Sequence, residues 1–332
     1  MIAPYPLRFQ PLFRDYLWGG RRLQSVLGKD LPPEGIWAES WEVVDHPQHA
    51  SVLVNGPLAG QSLSQVTADH RQWLFGEANI SGPLPLLFKY LDCQRVLSVQ
   101  VHPDDAYATR MVPPDLGKTE AWLIIDAQPG AVLYAGLKQG VTREDLLQAL
   151  HQGDVEPCLH AIQPQAGDCV FIPAGTVHAL GAGLLVAEIQ QASNTTFRLY
   201  DWQRVDANGQ PRALHVQQSL DVIDFASGPR PLQTPVETGI AGRQRLVACD
   251  KFVMDRAVAE DDAQARFALG GDGQMHLLSL PQGAATLSGE FGSEPMASGQ
   301  TVLLPAALGP ITAHLSPGSC LLDIFLPGSS PS

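Results

Sequence analysis

Cysteine is scarce in this chain: five in 332 residues, at positions 93, 158, 169, 249 and 320, with no Cys-x-x-Cys pair. An odd, scattered set excludes a disulfide framework and a thiolate zinc site, and fits free thiols in a reducing compartment. Lysine is as rare, also five. Positive charge is short overall, with 21 basic against 34 acidic residues and a net charge of −13. That excludes general binding to nucleic acid or to an anionic membrane surface. An anionic substrate would need local cations working against the overall field. No apolar run approaches the roughly 18 residues of a membrane span. Met1–Gln10 lacks the basic stretch followed by an apolar run that marks a signal peptide. The expectation is a cytoplasmic globular protein.

What is present points to β structure. Hydrophobic residues make up 45% and charged residues 17%, enough for a sizeable core. Glycine (31) and proline (27) are spread along the chain as single punctuators of many turns. Between them lie short β-type runs: Ser51–Val54, Pro85–Leu91, Val96–Val101, Ala121–Ile125, Ala131–Tyr134, Cys169–Ile172, Leu184–Ile189 and Thr196–Tyr200. Such spacing predicts a sandwich or barrel. Thr142-Arg-Glu-Asp145 resembles a capping box and predicts a helix over 143–152; Val216, Leu220 and Ile223 at helical spacing predict another over 213–225, and Leu63–Phe75 is expected as a third. Residues 226–235 read as a linker or extended loop, after which short strands resume. One internal echo bears on the architecture. Gly167-Asp-Cys-Val-Phe-Ile-Pro173-Ala174 and Gly299-Gln-Thr-Val-Leu-Leu-Pro305-Ala306 share glycine, an apolar strand and a proline corner, which predicts a duplicated β-domain. The first copy continues to His178; the second has Pro310 at that position.

The densest polar cluster is Leu97-Ser-Val-Gln100-Val-His102-Pro-Asp-Asp105. On a strand Gln100 and His102 share a face and Val99 and Val101 point away. Two polar groups turned inward need partners, because unpaired burial costs on the order of 2 kcal/mol or more each. A metal ion meets that need, as do buried water and neighbouring hydroxyls. In Gly117-Lys-Thr-Glu-Ala-Trp122, Lys118 and Glu120 share a face; this fits a strand-end salt bridge or a catalytic amine beside a carboxylate. Gly167-x5-Pro173-x-Gly175-x2-His178 sets one histidine after a glycine-bounded corner, a far more restrictive spacing than a lone histidine. Gln100, His102, Glu120 and His178 together offer two nitrogens and two oxygens. Neutral imidazoles with a carboxylate and no thiolate suit Zn2+, with other divalent transition ions as competitors. An open coordination position is what a catalytic metal needs.

The Gly167–His178 pattern resembles the second motif of the cupin superfamily, whose fold is a small double-stranded β-helical barrel; Ala182 departs from the asparagine of that pattern. The first cupin motif, His-x-His and then Glu, reads here as Gln100-Val-His102 with Glu120 after a longer insertion. Those departures are themselves the pattern of type I phosphomannose isomerases (mannose-6-phosphate isomerases). The chain resembles that family in Tyr16-Leu-Trp-Gly-Gly20, Ala38-Glu-Ser-Trp-Glu42, Leu97–Asp105, Gly117-Lys-Thr-Glu120 and Glu188-Ile-Gln-Gln191 through Thr196-Phe-Arg-Leu-Tyr-Asp201. The likeness covers roughly residues 7–225 and looks like the shorter bacterial branch.

The resemblance implies a mainly β fold, a duplicated cupin of jelly-roll barrels with a few short helices. A catalytic metal-binding domain would span 1–235, and a degenerate β-domain without metal ligands 236–332. It implies a zinc-dependent aldose–ketose isomerase that interconverts mannose 6-phosphate and fructose 6-phosphate through an enediolate. One Zn2+ would be held by Gln100, His102, Glu120 and His178, with Lys118 and Arg198 in catalysis. Lys89 is a candidate phosphate contact or a surface-facing lysine, and Glu42 orients a substrate hydroxyl or is structural. Asp201 is expected to pair with Arg198 or a backbone donor, and Asp104 to cap a helix beginning near Asp105. The expected partner is a small phosphorylated sugar, with no nucleic acid and no membrane, on a monomer or weak homo-oligomer. Two other readings are a non-catalytic sugar-phosphate sensor and another metal-dependent cupin enzyme such as a dioxygenase. Gln100 and the inward lysine argue against the dioxygenase.

Overall fold

Short apolar runs closed by glycine and proline become short antiparallel strands in the computed structural model, which describes residues 2–77, 80, 82–205, 209–260 and 263–328. The chain is mainly β and divides into two compact units. A central unit spans Asp15–Gly20 and Leu91–Gln233; a terminal unit spans Met1–Arg14, Arg21–Tyr90 and Thr234–Ser332. No helix among the described residues is long and apolar enough to cross a membrane.

In the central unit the strands are β1 (Val99–Val101), β2 (Glu120–Ala127), β3 (Leu133–Leu137), β4 (Leu159–Ile162), β5 (Cys169–Ile172), β6 (His178–Leu180), β7 (Leu184–Gln191) and β8 (Phe197–Tyr200). They lie in the orders β7-β2-β5 and β8-β1-β6-β3-β4. Val99 and Val101 turn away from the polar face of β1, into a core shared with Leu146, Leu159, Phe197 and Leu220. Each such side chain contributes about 1.5–3 kcal/mol by burial. Leu146 and Leu220 bring in the helices Arg143–Gln152 and Val216–Val222. The first has the expected bounds, set by a capping box of Thr142 with Asp145 and ended by Gly153 at φ 70°. The second is shorter than its periodicity. His215 is pinned to β8, its N–H donating to Arg198 O at 2.7 Å and its Nδ1 accepting from Arg198 N at 3.1 Å. Residues 226–235 are an extended loop fastened to β3 and β5, where Arg230 N donates to Ala135 O and Gln233 N to Cys169 O.

In the terminal unit Leu12–Arg14 pairs with Glu39–Val43. The single helix expected over Leu63–Phe75 is two, Leu63–Asp69 and Arg71–Phe75, because His70 leaves helical geometry at φ −134°, ψ 32°. Ser51–Val54 forms only isolated bridges, Phe9 to Leu53 and Val52 to Ser62. The C-terminal strands are β9 (Val253–Val258), β10 (Ala265–Gly270), β11 (His276–Gln282), β12 (Ala284–Gly289), β13 (Gly292–Ala297), β14 (Thr301–Leu304), β15 (Pro310–Leu315) and β16 (Cys320–Phe325). Their orders are β9-β16-β11-β14 and β10-β15-β12-β13. Thus β16-β11-β14 repeats β7-β2-β5, and β10-β15-β12-β13 repeats β1-β6-β3-β4. The glycine–proline echo falls on β5 and β14, equivalent strands of the repeat.

Residues 2–14 and 21–90 group with these C-terminal strands, where the sequence reading runs one domain from 1 to 235. Pairings distant in sequence explain the grouping. Leu7 and Leu303 exchange both backbone hydrogen bonds, at 2.8 and 2.9 Å, and the Tyr90 hydroxyl meets Ser279 Oγ at 2.5 Å.

Candidate metal centre

The register of the central unit gathers the predicted ligands. His178 opens β6 directly opposite Gln100 on β1, and Arg198 faces Gln100 from β8. Glu120 opens β2, opposite Ile172 on β5 and Gln190 on β7. His102 lies one residue past β1, where its carbonyl accepts from Gly175 N at 2.9 Å and ties it to the corner before β6. Gly175 takes φ 85° there, a conformation other residues rarely adopt, and a Cβ would stand 3.0 Å from Val222 O.

His102, Glu120 and His178 are all buried, and one ligand atom from each lies within 4.8 Å of the others. Among the described residues this is the group of histidine, cysteine or carboxylate side chains that can converge on one ion. His178 Nε2 is 3.2 Å from Glu120 Oε1, and His102 Nε2 is 3.6 Å from Glu120 Oε2. His178 Nδ1 donates to Thr176 O at 2.8 Å, so the lone pair belongs to Nε2, on the side of Glu120. Burial pushes this imidazole down to about 4, with the Thr176 bond acting the other way, and holds it neutral at physiological pH. His178 Nε2 has no hydrogen-bond partner, and Glu120 Oε2 has none beyond its ion pair with Lys118. Such buried atoms cost about 1–3 kcal/mol each unless something satisfies them. A divalent cation does so, and this donor chemistry fits one.

Lys118 shares the corner. Its Nζ lies 3.0 Å from His102 Nε2 and 3.2 Å from Glu120 Oε2, and the residue is 6% exposed. The arrangement therefore joins a carboxylate, two imidazoles and a primary amine in one buried cluster.

Gln100 is half-buried, with its backbone between those of His178 and Arg198. The half-buried Arg198 donates through NH1 to Ala213 O at 2.8 Å, while its Nε has no partner. Burial, then nearby Arg212, draws its pKa below the usual value. Asp201 is clasped by Arg204 and Arg212, whose Nε donates to it at 2.7 Å, in place of the expected Arg198. Asp104 caps the helix Asp105–Ala108, accepting from Tyr107 N at 2.8 Å. Glu42 and Lys89 belong to the terminal unit. Glu42 pairs with buried Lys29 at 2.6 Å and accepts from Ser40 Oγ. Lys89 is buried, not surface-facing, with its Nζ 3.6 Å from Glu39.

Asp105 and Gln191 were not singled out by sequence reasoning, although both lie within its motifs. They brace the segment carrying Lys118: Gly117 N donates to Asp105 Oδ1 at 2.8 Å and Thr119 N to Gln191 Oε1 at 3.0 Å. No local spacing marks them, because each acts on a segment remote in sequence.

Comparison with known proteins bears on the identity of this centre. Residues 7–121 match the family described as phosphomannose isomerase type I, catalytic domain. A mannose-6-phosphate isomerase of Streptococcus mutans is 41% identical over 73% of this chain and 74% of its own. The mannose-6-phosphate isomerase ManA of Bacillus subtilis is 36% identical over 92% of this chain and 94% of its own. A crystal structure of a Bacillus subtilis mannose 6-phosphate isomerase superposes with a TM-score of 0.86 at 30% identity, covering 96% of this chain and 99% of that one. The chain belongs to the type I phosphomannose isomerases, a family of mannose-6-phosphate isomerase enzymes.

Proposed function

We propose that the chain interconverts mannose 6-phosphate and fructose 6-phosphate with one Zn2+ held by His102, Glu120, His178 and Gln100. The observation that carries this reading is the buried His–Glu–His cluster with His178 Nε2 unpartnered and a lysine amine at its edge. The isomerisation removes a proton beside a carbonyl and must hold the resulting enediolate charge. The bound ion supplies Lewis acidity toward the sugar oxygens. Lys118 Nζ carries the carbon-bound proton between C2 and C1, taking it from one carbon and returning it to the other, while the hydroxyl proton passes between O2 and O1. Arg198 presents a planar cationic fork to the enediolate oxygens or the phosphate. Glu120 orients the Lys118 amine through their 3.2 Å contact.

The metal chemistry then belongs to the repeat within 1–235. The repeat within 236–332 is a degenerate cupin-like copy without ligands. A coupled assay for fructose 6-phosphate formed from mannose 6-phosphate tests the whole reading. Turnover is expected to vanish with a chelator and return with zinc. A fully zinc-loaded protein without turnover overturns the isomerase assignment and leaves the sugar-phosphate sensor and another metal-dependent cupin enzyme in its place.

A further inference from the structure

Lys118 stands just ahead of β2, where no strand ladder fixes its backbone, yet catalytic groups must hold position to within about 0.5 Å. The peptides on both sides of it are fastened by side chains from elsewhere. Gly117 N–H donates to Asp105 Oδ1 at 2.8 Å, and Thr119 N–H donates to Gln191 Oε1 at 3.0 Å. Gln191 Nε2 donates to the same Asp105 Oδ1 at 2.9 Å, so one side-chain amide spans both flanks. The Gln191 backbone N–H adds a bond to Thr119 O at 3.1 Å, and Lys118 N–H donates to Pro103 O at 3.0 Å. The fit is close: a Cβ at Gly117 would stand 2.6 Å from Asp105 N. The preceding loop is held separately, by Asp115 accepting from Ser193 and Thr195 hydroxyls at 2.8 and 2.6 Å. The Asp105–Gln191 bridge therefore acts on the lysine segment and not on the loop as a whole.

We infer that Gln191, acting with Asp105, is a positioning residue that holds the Lys118 amine against the His102–Glu120 edge of the centre. The inference rests on the reading of Lys118 as the proton carrier. The Gln191 side chain bonds to Thr119 N and Asp105 Oδ1, so it works through the backbone of residues 117–119. Gln191 is buried, at 5% exposure, so water does not replace the lost bonds when its amide is removed.

Gln191→Met keeps the length of the side chain and removes both side-chain bonds. In the zinc-loaded enzyme kcat is expected to fall on the order of 10- to 100-fold, the effect of a displaced catalytic group. KM stays within about twofold, and bound zinc per chain is unchanged. In a Lys118→Ala background the same substitution lowers the residual rate no further, because the group it positions is gone. Asp105→Ala should show the same pattern, and it carries the cycle if Gln191→Met does not fold. A Gln191→Met loss that multiplies fully with Lys118→Ala, or one accompanied by loss of zinc, overturns the inference. Failure of the underlying reading shows separately, as undiminished turnover in Lys118→Ala itself.

Discussion

His178 in the central unit donates Nδ1–H to Thr176 O and leaves Nε2 unpartnered. His276 in the terminal unit engages both ring nitrogens, Nδ1 with Asp323 at 2.7 Å and Nε2 with Asp272 at 3.1 Å. The two histidines mark the same corner of the repeat. Glu120 pairs with Ile172 on β5; His276 pairs with Leu304, the equivalent residue of β14. Gln100 pairs with His178; Gly270 pairs with Pro310. Two residues past Gln100 stands His102, and two past Gly270 stands Asp272. The set Gln100, His102, Glu120, His178 thus becomes Gly270, Asp272, His276, Pro310. A histidine and a carboxylate survive with exchanged places, while glycine and proline contribute no side-chain donor.

The second nitrogen decides the chemistry. Burial opposes charge on both rings, but Asp323 and Asp272 hold the His276 proton and raise its pKa to about 10. An imidazolium has no lone pair for a metal. His178, bonded only to a backbone carbonyl on its other nitrogen, falls to about 4 and keeps its lone pair. The connection between equivalent strands differs as well. Residues 102–119 join β1 to β2 and carry Lys118, whereas only residues 271–275 join β10 to β11.

The sharpest way to break this contrast is His178→Ala. It is expected to empty the centre and abolish turnover; metal retained in stoichiometric amount by elemental analysis would refute the ligand assignment. Asp323→Ala attacks the other repeat. It leaves buried His276 and Arg243 short of a shared carboxylate and should cost about 3–5 kcal/mol by urea unfolding. Metal content and kcat of the folded fraction are expected to stay unchanged. Arg198→Ala returns to the first repeat, where β8 flanks β1; among the described residues β10 is an edge strand with no counterpart of β8 in its sheet. That substitution should lower kcat roughly 100-fold with metal retained. A rise in KM alone would make Arg198 a ground-state contact.

A gentler contrast is pH. The folded-state pKa of His276 lies above the unfolded value of 6.5, so its contribution to stability is complete below pH 6.5. The contribution disappears as pH rises toward about 10. The groups facing the ring are Asp323, Asp272 and, through Asp323, Arg243. His276→Gln should therefore lower Tm most at pH 6 and progressively less by pH 10, in parallel melts of variant and parent. A Tm difference independent of pH over that window would show that His276 is uncharged in the fold.

Much of the first repeat was legible because its information is local. Cys169–Ile172 and the helix Arg143–Gln152 lie where alternation and the capping box place them. His102, Glu120 and His178 each fall in a short motif, but His102 stands one residue past β1, so pairing between strands, not alternation along one, brings the three together. What stayed hidden depends on pairings that no strand or helix period prescribes: the Leu7–Leu303 pairing, the Lys29–Glu42 ion pair and the Arg212 clasp on Asp201. The echo at Gly167 and Gly299 announces the duplication. The correspondence of Glu120 with His276 needs the strand register, because the intervening connections differ in length and erase any fixed offset.

The smallest expected effect separates the repeats by local stability. Between β3 and β4 the central unit inserts the helix Arg143–Gln152, while β12 and β13 are joined by a tight turn at Glu290–Phe291. Thr142 Oγ1 accepts from Asp145 N at 3.2 Å, and Asp145 Oδ2 accepts from Thr142 N at 2.9 Å. Both bonds satisfy donors at a helix end that strands do not have. Thr142→Ala removes the first bond and should cost about 1 kcal/mol. Hydrogen exchange at the amides of Leu146–Leu150 is then expected to quicken about fivefold where it proceeds by local opening. Amides of β11 and β16 should hold their protection, because nothing in their ladder depends on that helix. Equal loss of protection in both places would show the two repeats opening as one cooperative unit, and the contrast drawn at His178 and His276 would then be one of chemistry alone.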